Sequence, residues 1–301
     1  MLQQYNPRNE NIKIYVGDGL YSRADAKVSV FDSSVQGGDA VWEGLRVYEG
    51  GIFCLDRHLQ RLIDSAKALR FAQIPTKEFV KQAIFQTLEA NDMRSDTHIR
   101  LTLTRGEKIT SGMDPRLNQV GCCLIVLAEW KPPVYDNDQG IRVITSSIAR
   151  NSPLHLDSKI HHNNLLNNIL AKIQANVAGV DAAVMLDAYG FVAELNDTNL
   201  FMTKGGRLFT PHADACLPGI TRGLVLEIAK QLKTPVQEKN LSLTEFYTAD
   251  EVFATGTMGE LTIVKEIDGR EIATDSQDRI LPKITERFRQ LNRELIESLP
   301  F

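Results

Sequence analysis

The sequence predicts a mixed α+β protein of two domains, on three observations. Strand-like and helix-like stretches interleave along 301 residues without a strict βαβ rhythm. A polar stretch from Lys131 to Gly140, stiffened by Pro132 and Pro133, interrupts the patterned segments near the middle of the chain. The length corresponds to about two domains of roughly 150 residues each. The expected division is a smaller N-terminal domain over 1–130, a linker over 131–140 and a larger C-terminal domain over 141–301.

Asp56 to Phe71 carries Leu59, Leu62, Ile63, Ala66 and Leu69 at helical spacing, and Glu78 to Glu89 repeats the pattern with Phe79, Ala83, Ile84 and Leu88. His98 to Thr104 alternates a polar row (His98, Arg100, Thr102, Thr104) with Ile99, Leu101 and Leu103, the period of a strand. Cys122 to Ala128 reads as the next strand, after a loop punctuated by Gly106 and Pro115. Beyond the linker, Ile141 to Ile148 reads as a strand, and Leu165, Leu166, Ile169, Leu170 and Ile173 mark a long helix. Ala182–Leu186 and Phe191–Met202 read as strands joined by a turn from Asp187 to Gly190. Gly205-Gly206 suits a hairpin turn before Arg207–Thr210. Thr221–Leu232 reads as a helix, Glu251–Thr255 as a strand and Leu281–Ile296 as a closing helix.

Hydrophobic residues make up 43% and charged residues 24%, an ordinary globular mixture. The net charge of -4 leaves no basic footprint for nucleic acid, so an anionic substrate must be held by a local cluster of cations. Cys54, Cys122, Cys123 and Cys216 form no CxxC pair and no zinc-type spacing, which suits thiols in a reducing compartment. The stretch from Met1 to Tyr5 lacks the basic and apolar regions of a signal peptide, and no apolar run approaches the ~18 residues of a membrane span. A cytoplasmic chain with small-molecule partners is expected. The adjacent His161 and His162 have no carboxylates at ligand spacing, so no metal site is expected.

Four stretches could carry chemistry. Gly219-Ile220-Thr221-Arg222-Gly223 opens a helix, where free N–H donors and the macrodipole would attract a phosphate. An ordinary helix capped near Thr221 fits the same residues. Thr255-Gly256-Thr257-Met258-Gly259 follows an apolar strand, and its glycines would let backbone N–H groups approach an anion. A plain strand-ending turn fits that stretch equally. Lys159 lies among polar residues, ordinarily the setting of a solvated lysine, with Asn163 and Asn164 available as caps for the following helix. Glu194 stands in an otherwise apolar strand entry, where a carboxylate costs free energy unless a cation accepts it or the edge is open to water.

Taken together and in order, the stretches around Lys159, Glu194 to Phe201, Leu217 to Arg222 and Asp250 to Thr257 resemble the fold-type IV pyridoxal-phosphate enzymes, most closely the branched-chain aminotransferases. Trp42 to Tyr48 and Arg57 to Leu62 extend the resemblance through the N-terminal half. It implies the two-domain class IV fold, similar to D-amino-acid aminotransferase, with pyridoxal 5'-phosphate (PLP) as cofactor. By this resemblance Lys159 holds the cofactor covalently and shuttles a proton, a role suited to a lysine of depressed pKa. Glu194 matches the partner of the pyridine nitrogen. Arg61, Ile220, Thr221 and Thr257 match the phosphate site, with Asn199, Gly219 and Gly256 completing the cofactor set.

The resemblance also places Arg100 on the substrate carboxylate and Gly37, Trp42, His98, Met258 and Gly259 in the substrate site. Departures concentrate at aromatic positions. Asn164 stands where a tyrosine contacts the ring hydroxyl, Gly37 and Pro133 where two others line the pocket, and His98 where a tyrosine precedes the arginine by two. A wider and more polar pocket is expected. The implied reaction moves the amino group of branched-chain L-amino acids to 2-oxoglutarate, with amino acids and 2-oxo acids as partners. A D-amino acid or (R)-amine transaminase and an aminodeoxychorismate lyase are the alternatives on this fold. A homodimer is expected, because class IV sites resemble one another in borrowing residues from a neighbouring subunit.

Overall fold

The structure, a computed structural model, describes residues 3–137, 139–272 and 279–301. Strands and helices are mixed throughout, the expected α+β class, and the chain divides into two compact units. One comprises Leu2–Pro132, Ile160–Asn164 and Leu295–Phe301, and the other Pro133–Lys159 and Leu165–Glu294. They are called the N- and C-terminal units.

The N-terminal unit is built on a seven-stranded antiparallel sheet. Its strands are β1 (Lys13–Val16), β2 (Gly19–Ser22), β3 (Ala40–Tyr48), β4 (Gly51–Phe53), β5 (Thr97–Thr104) and β6 (Cys123–Trp130), joined at the edge by β16 (Ile296–Ser298) from the far end of the chain. Besides the short α1 (Ser33–Gly37), two helices belong to this unit, α2 (Leu55–Ala68) and α3 (Lys77–Ala90). The predicted alternation of β5 is what buries it: Ile99, Leu101 and Leu103 are fully covered and join Val41, Leu45 and Val47 of β3 and Leu59 and Leu62 of α2 in one core. Register pairs Gly44 with Arg100 and Arg46 with His98, so the even-numbered residues of both strands share the other face.

The C-terminal unit holds a nine-stranded mixed sheet. In chain order its elements are β7 (Ile141–Thr145), α4 (Leu166–Val177), β8 (Ala182–Leu186), β9 (Val192–Leu195), β10 (Asn199–Lys204) and β11 (Arg207–Thr210). There follow α5 (Ile220–Gln231), β12 (Val236–Glu238), α6 (Leu243–Tyr247), β13 (Glu251–Gly256), β14 (Glu260–Ile267), β15 (Arg270–Glu271) and α7 (Leu281–Glu294). The Gly205-Gly206 turn closes the β10–β11 hairpin, pairing Lys204 with Arg207. Both glycines have positive φ, 55° and 70°, which a two-residue turn of this hand requires. The core gathers Val143, Val184, Leu195, Leu200, Val252 and Val264. Among the described residues no helix is long and apolar enough to cross a membrane.

Two expectations need correction, and one strand is new. The closing helix stops at Glu294 rather than Ile296, because Leu295 O accepts from Cys54 N–H and the next residues pair with β4 as a strand. Residues 160–164 and 295–301, expected in the C-terminal domain, group with the N-terminal unit, since both segments pair with its strands. Ala40–Tyr48, unassigned from sequence, is the longest strand, its apolar row interrupted by Glu43 and its other face by Trp42 and Arg46. The linker stretch 131–140 contains the boundary at Pro132/Pro133, and Asp138 of that stretch lies outside the described residues.

One buried carboxylate anchors α7. Glu251 Oε2 accepts from the N–H groups of Ile280 (2.7 Å) and Leu281 (3.3 Å), while its Oε1 lies 3.2 Å from Arg279 Nε. Two donors at the helix start are thereby satisfied by a residue remote in sequence. Glu251→Ala should lower stability by about 2 kcal/mol, the loss of a buried cap. Denaturant unfolding of the variant against the parent checks this.

Candidate active site

In the C-terminal unit, one loop, residues 212–219, gathers most of the cofactor residues expected from sequence. Lys159 Nζ lies 3.5 Å from Asp214 O and 3.7 Å from Asp157 Oδ1, its side chain 43% exposed. Ala213, Ala215 and Cys216 pack on Ala193, which sets the loop beside Glu194. Leu217 joins the two ends of the site: its backbone N–H supports the Glu194 carboxylate, and its carbonyl accepts from Asn199 Nδ2 at 2.9 Å. Asn199 Nδ2 also donates to Glu194 Oε2 at 3.0 Å. A Cβ at Gly219 would come within 2.1 Å of Asn199 Oδ1 and force the Asn199 amide away from its present place.

Glu194 is buried although β9 ends the sheet order, so it is not a carboxylate in water. The cation that accepts it is Arg150, whose Nε lies 2.7 Å from Oε1 and whose other end donates to Asn168 Oδ1. Sequence reasoning missed Arg150, though the apolar strand entry around Glu194 already demanded a cation. The match is incomplete. Burial pushes the Glu194 carboxyl up to about 7, against the opposing pull of Arg150 and Leu217.

Gly219 is the N-cap residue of α5, and among the described residues this twelve-residue helix has no side-chain cap hydrogen bond. Its first-turn N–H groups, including those of Ile220 and Thr221, keep the donors and positive potential of a helix start. Across the β10–β13 register Asn199 pairs with Thr255, which brings the turn beginning at Thr255 to the same neighbourhood. The Thr255 hydroxyl is buried without a hydrogen-bond partner among the described residues. Gly256 stands so close to Thr198 that a Cβ would meet its Cγ2 at 2.7 Å.

The donor set fits PLP. Uncapped N–H groups and an orphaned hydroxyl suit a phosphate, and a buried carboxyl lifted to about 7 lacks the full positive charge that a protonated pyridine nitrogen carries. Met258 and Gly259 continue this turn: Met258 O accepts from Val134 N–H, and Gly259 faces the Tyr135 ring. Tyr135, two residues past Pro133, is the aromatic that sequence reading passed over. Its hydroxyl lies 2.8 and 2.9 Å from the Asp197 carboxylate oxygens.

The remaining expected residues belong to the N-terminal unit, around Glu43. That carboxylate falls in the core-facing row of β3 and is fully buried. Helix α2 answers it with two side chains one turn apart. Arg61 donates from Nε (2.8 Å) and NH2 (2.7 Å) in a fork, and His58 Nδ1 lies 2.7 Å away. His161 Nδ1 completes the set at 3.0 Å. Burial opposes the Glu43 charge, but Arg61 and His161 outweigh it and hold the carboxyl well below its ordinary range. Arg61, expected on the phosphate, thus directs two donors to Glu43.

On the other face of the sheet, the Arg100 guanidinium lies 3.4 Å over the Trp42 ring and donates to Asn163 Oδ1 at 2.7 Å. Burial lowers the Arg100 pKa to about 10, and that of His98 beneath it to about 3. Gly37 ends α1 with open space at its Cβ position, and Asn164 packs on Gly38. Asn163 and Asn164 do not cap α4, whose N-cap residue is Leu165. Among the described residues no cluster could hold a metal ion.

Residues 40–267 match the model of the amino-transferase class IV family. Branched-chain-amino-acid aminotransferase-like protein 2 of Arabidopsis thaliana is 58% identical over 95% of this chain, which spans 51% of that protein. This chain thus covers about half the length of that plant relative. A putative branched-chain-amino-acid aminotransferase of Methanocaldococcus jannaschii is 43% identical over 93% of this chain and 96% of its own length. Among solved structures, a T.th. branched-chain amino acid aminotransferase complexed with N-(5'-phosphopyridoxyl)-L-glutamate superposes with a TM-score of 0.87 at 32% identity, covering 96% of this chain and 99% of that one. With the loop, the paired carboxylate and the uncapped helix in hand, the chain belongs to the class IV aminotransferases, a family that works with PLP.

Proposed function

We propose that this chain is an aminotransferase that moves the amino group of branched-chain L-amino acids to 2-oxoglutarate. The observation that carries the reading is the convergence of Lys159, Glu194, Asn199 and the α5 start on the 212–219 loop. PLP, when bound, supplies the electron sink for a broken Cα–H bond. Lys159 Nζ would hold it and then take and return the substrate proton. Glu194 would keep the ring nitrogen protonated, with Arg150 and Asn199 fixing the carboxylate's orientation. The Ile220 and Thr221 N–H groups, with Gly256 and Thr257, would hold the phosphate in the C-terminal unit. In the N-terminal unit Arg100 would hold a substrate carboxylate, with Gly37, Trp42 and His98 beside it, and Met258 and Gly259 would be the substrate-facing residues of the C-terminal unit.

The names of the relatives support the branched-chain assignment, and the phosphopyridoxyl-glutamate complex of the T.th. enzyme supports glutamate and 2-oxoglutarate as the second pair. Gly37, standing where the resemblance expects a pocket aromatic, leaves one other reading, a transaminase for D-amino acids or (R)-amines. A cytoplasmic, reducing setting belongs to the proposal, because all four cysteines are free thiols.

A homodimer belongs to it as well. Helix α4 leaves Leu166, Ile169, Leu170, Ile173 and Val177 between 47% and 85% exposed, spaced so that they form one apolar stripe. A stripe of this kind is costly in water, and a second copy of the chain is the occupant that fits a family with sites shared between subunits.

Absorption spectra test the reaction. The parent should show a visible cofactor band that bleaches with L-leucine, and Lys159→Ala should lose both band and turnover. Bleaching by D-alanine alone would shift the assignment to the second reading. The cofactor-stripped protein should lose stability as pH rises from 4.5 to about 7, because Glu194 keeps its proton in the folded state after the unfolded chain has released it. The loss should total about 3 kcal/mol and be absent in Glu194→Gln, measured by denaturant unfolding across pH. For the dimer, Ile169→Glu combined with Ile173→Glu should convert the sedimenting species to a monomer.

A further inference from the structure

His161 has a role that the cofactor chemistry leaves unassigned. Its backbone is fixed on both sides: the N–H donates to Ser65 Oγ at 3.1 Å, and the carbonyl accepts from Trp42 N–H at 2.9 Å. The neighbouring residues run along the free edge of β3, with His162 bridged to Val41 and Asn163 N–H donating to Ala40 O. The imidazole is therefore held at one place, its ring centroid 4.2 Å from that of Trp42.

The tautomer follows from what the ring touches. Glu43 is held as a carboxylate and can only accept, so His161 Nδ1, 3.0 Å from Oε1, must carry a proton. The charged and titratable groups around the ring are Glu43, Arg61 and Arg100, and burial with the two arginines outweighs Glu43, lowering the imidazole pKa to about 4. At neutral pH the ring is uncharged, and Nε2 is left with a lone pair. Nε2 has no hydrogen-bond partner among the described residues, yet it is not sealed in the interior. Trp42 and Arg100, proposed above as substrate contacts, lie at the same place, Arg100 at 3.4 Å over the indole.

We propose that His161 Nε2 is a specificity-determining acceptor for a hydrogen-bond donor, such as a hydroxyl, on the substrate side chain. The inference rests on the aminotransferase reading and deepens it: among amino acids branched at Cβ, those whose branch carries a hydroxyl are preferred to their hydrocarbon isosteres. The physical reason is that an aliphatic side chain placed against Nε2 displaces water and leaves the lone pair unpaired, whereas a hydroxyl of the same volume restores the bond. The Glu43 carboxylate acts through the ring, fixing the tautomer that accepts.

L-Threonine and L-valine, equal in shape, make the comparison. The parent should favour threonine over valine in kcat/KM by about tenfold or more, and His161→Phe, which keeps a ring against Trp42, should bring the ratio near one. His161→Gln, which can present an amide oxygen, should restore part of it. A parent ratio that favours valine, or one unchanged in His161→Phe, overturns the proposal. Turnover of neither amino acid, nor of leucine, would instead overturn the aminotransferase reading.

A binding measurement independent of turnover uses ¹⁵N NMR of the six histidines in the parent. 3-Hydroxybutanoate and 3-methylbutanoate lack an amino group and cannot react. The hydroxy acid should shift the unprotonated Nε2 resonance of His161 and the methyl acid should not. Equal shifts, or a His161 resonance protonated at Nε2, sink the inference even if the variants fail to fold.

Discussion

A carboxylate taken out of water must be met by positive charge or hydrogen bonds, and this constraint organises both units of the chain. Glu43 interrupts the apolar row of β3, and its burial dictates which residues of α2 face the sheet. Arg61 and His58 are three residues apart and lie on the same side of that helix as Leu59 and Leu62, so one helix face supplies both core and counter-charge. Removing the cation would leave the charge stranded, a far larger loss than the pair's own net worth.

Glu194 obeys the same constraint and resolves it differently. Arg150, Asn199 and the Leu217 N–H together do not offset its burial, and the carboxyl stays partly protonated near neutral pH. Glu43, with a forked arginine and two histidines, is held ionised far below that range. The contrast separates a structural carboxylate from one with capacity left for a cation that the chain itself does not supply. The same incompleteness recurs at the α5 start, which has no capping side chain, and at the Thr255 hydroxyl. A folded chain keeps such unsatisfied groups together only where something else satisfies them.

His161 shows how a structural network reaches outward. It shares Glu43 with Arg61 and His58, but its second nitrogen is not enclosed by them. A carboxylate that fixes one nitrogen of an imidazole decides what the other can do. Substitution at Glu43 would therefore alter both the packing of α2 and the hydrogen-bonding character of His161 Nε2.

The sequence by itself determined the elements whose periodicity is set locally: the β5 strand, helices α2, α3 and α5, and the Gly205-Gly206 hairpin, each within a few residues. It also carried the separated stretches around Lys159, Glu194, Gly219 and Gly256, whose residue types and order along the chain carry the resemblance to the family. What only the tertiary structure decided are the partners drawn from distant chain positions. Arg150 meeting Glu194, Asn199 pressing on Gly219, His161 reaching Glu43 and β16 closing the sheet against β4 all depend on sheet order and register. Local propensity carries no record of which remote strand lies alongside, and a buried charge announces that it needs a partner without saying which one arrives.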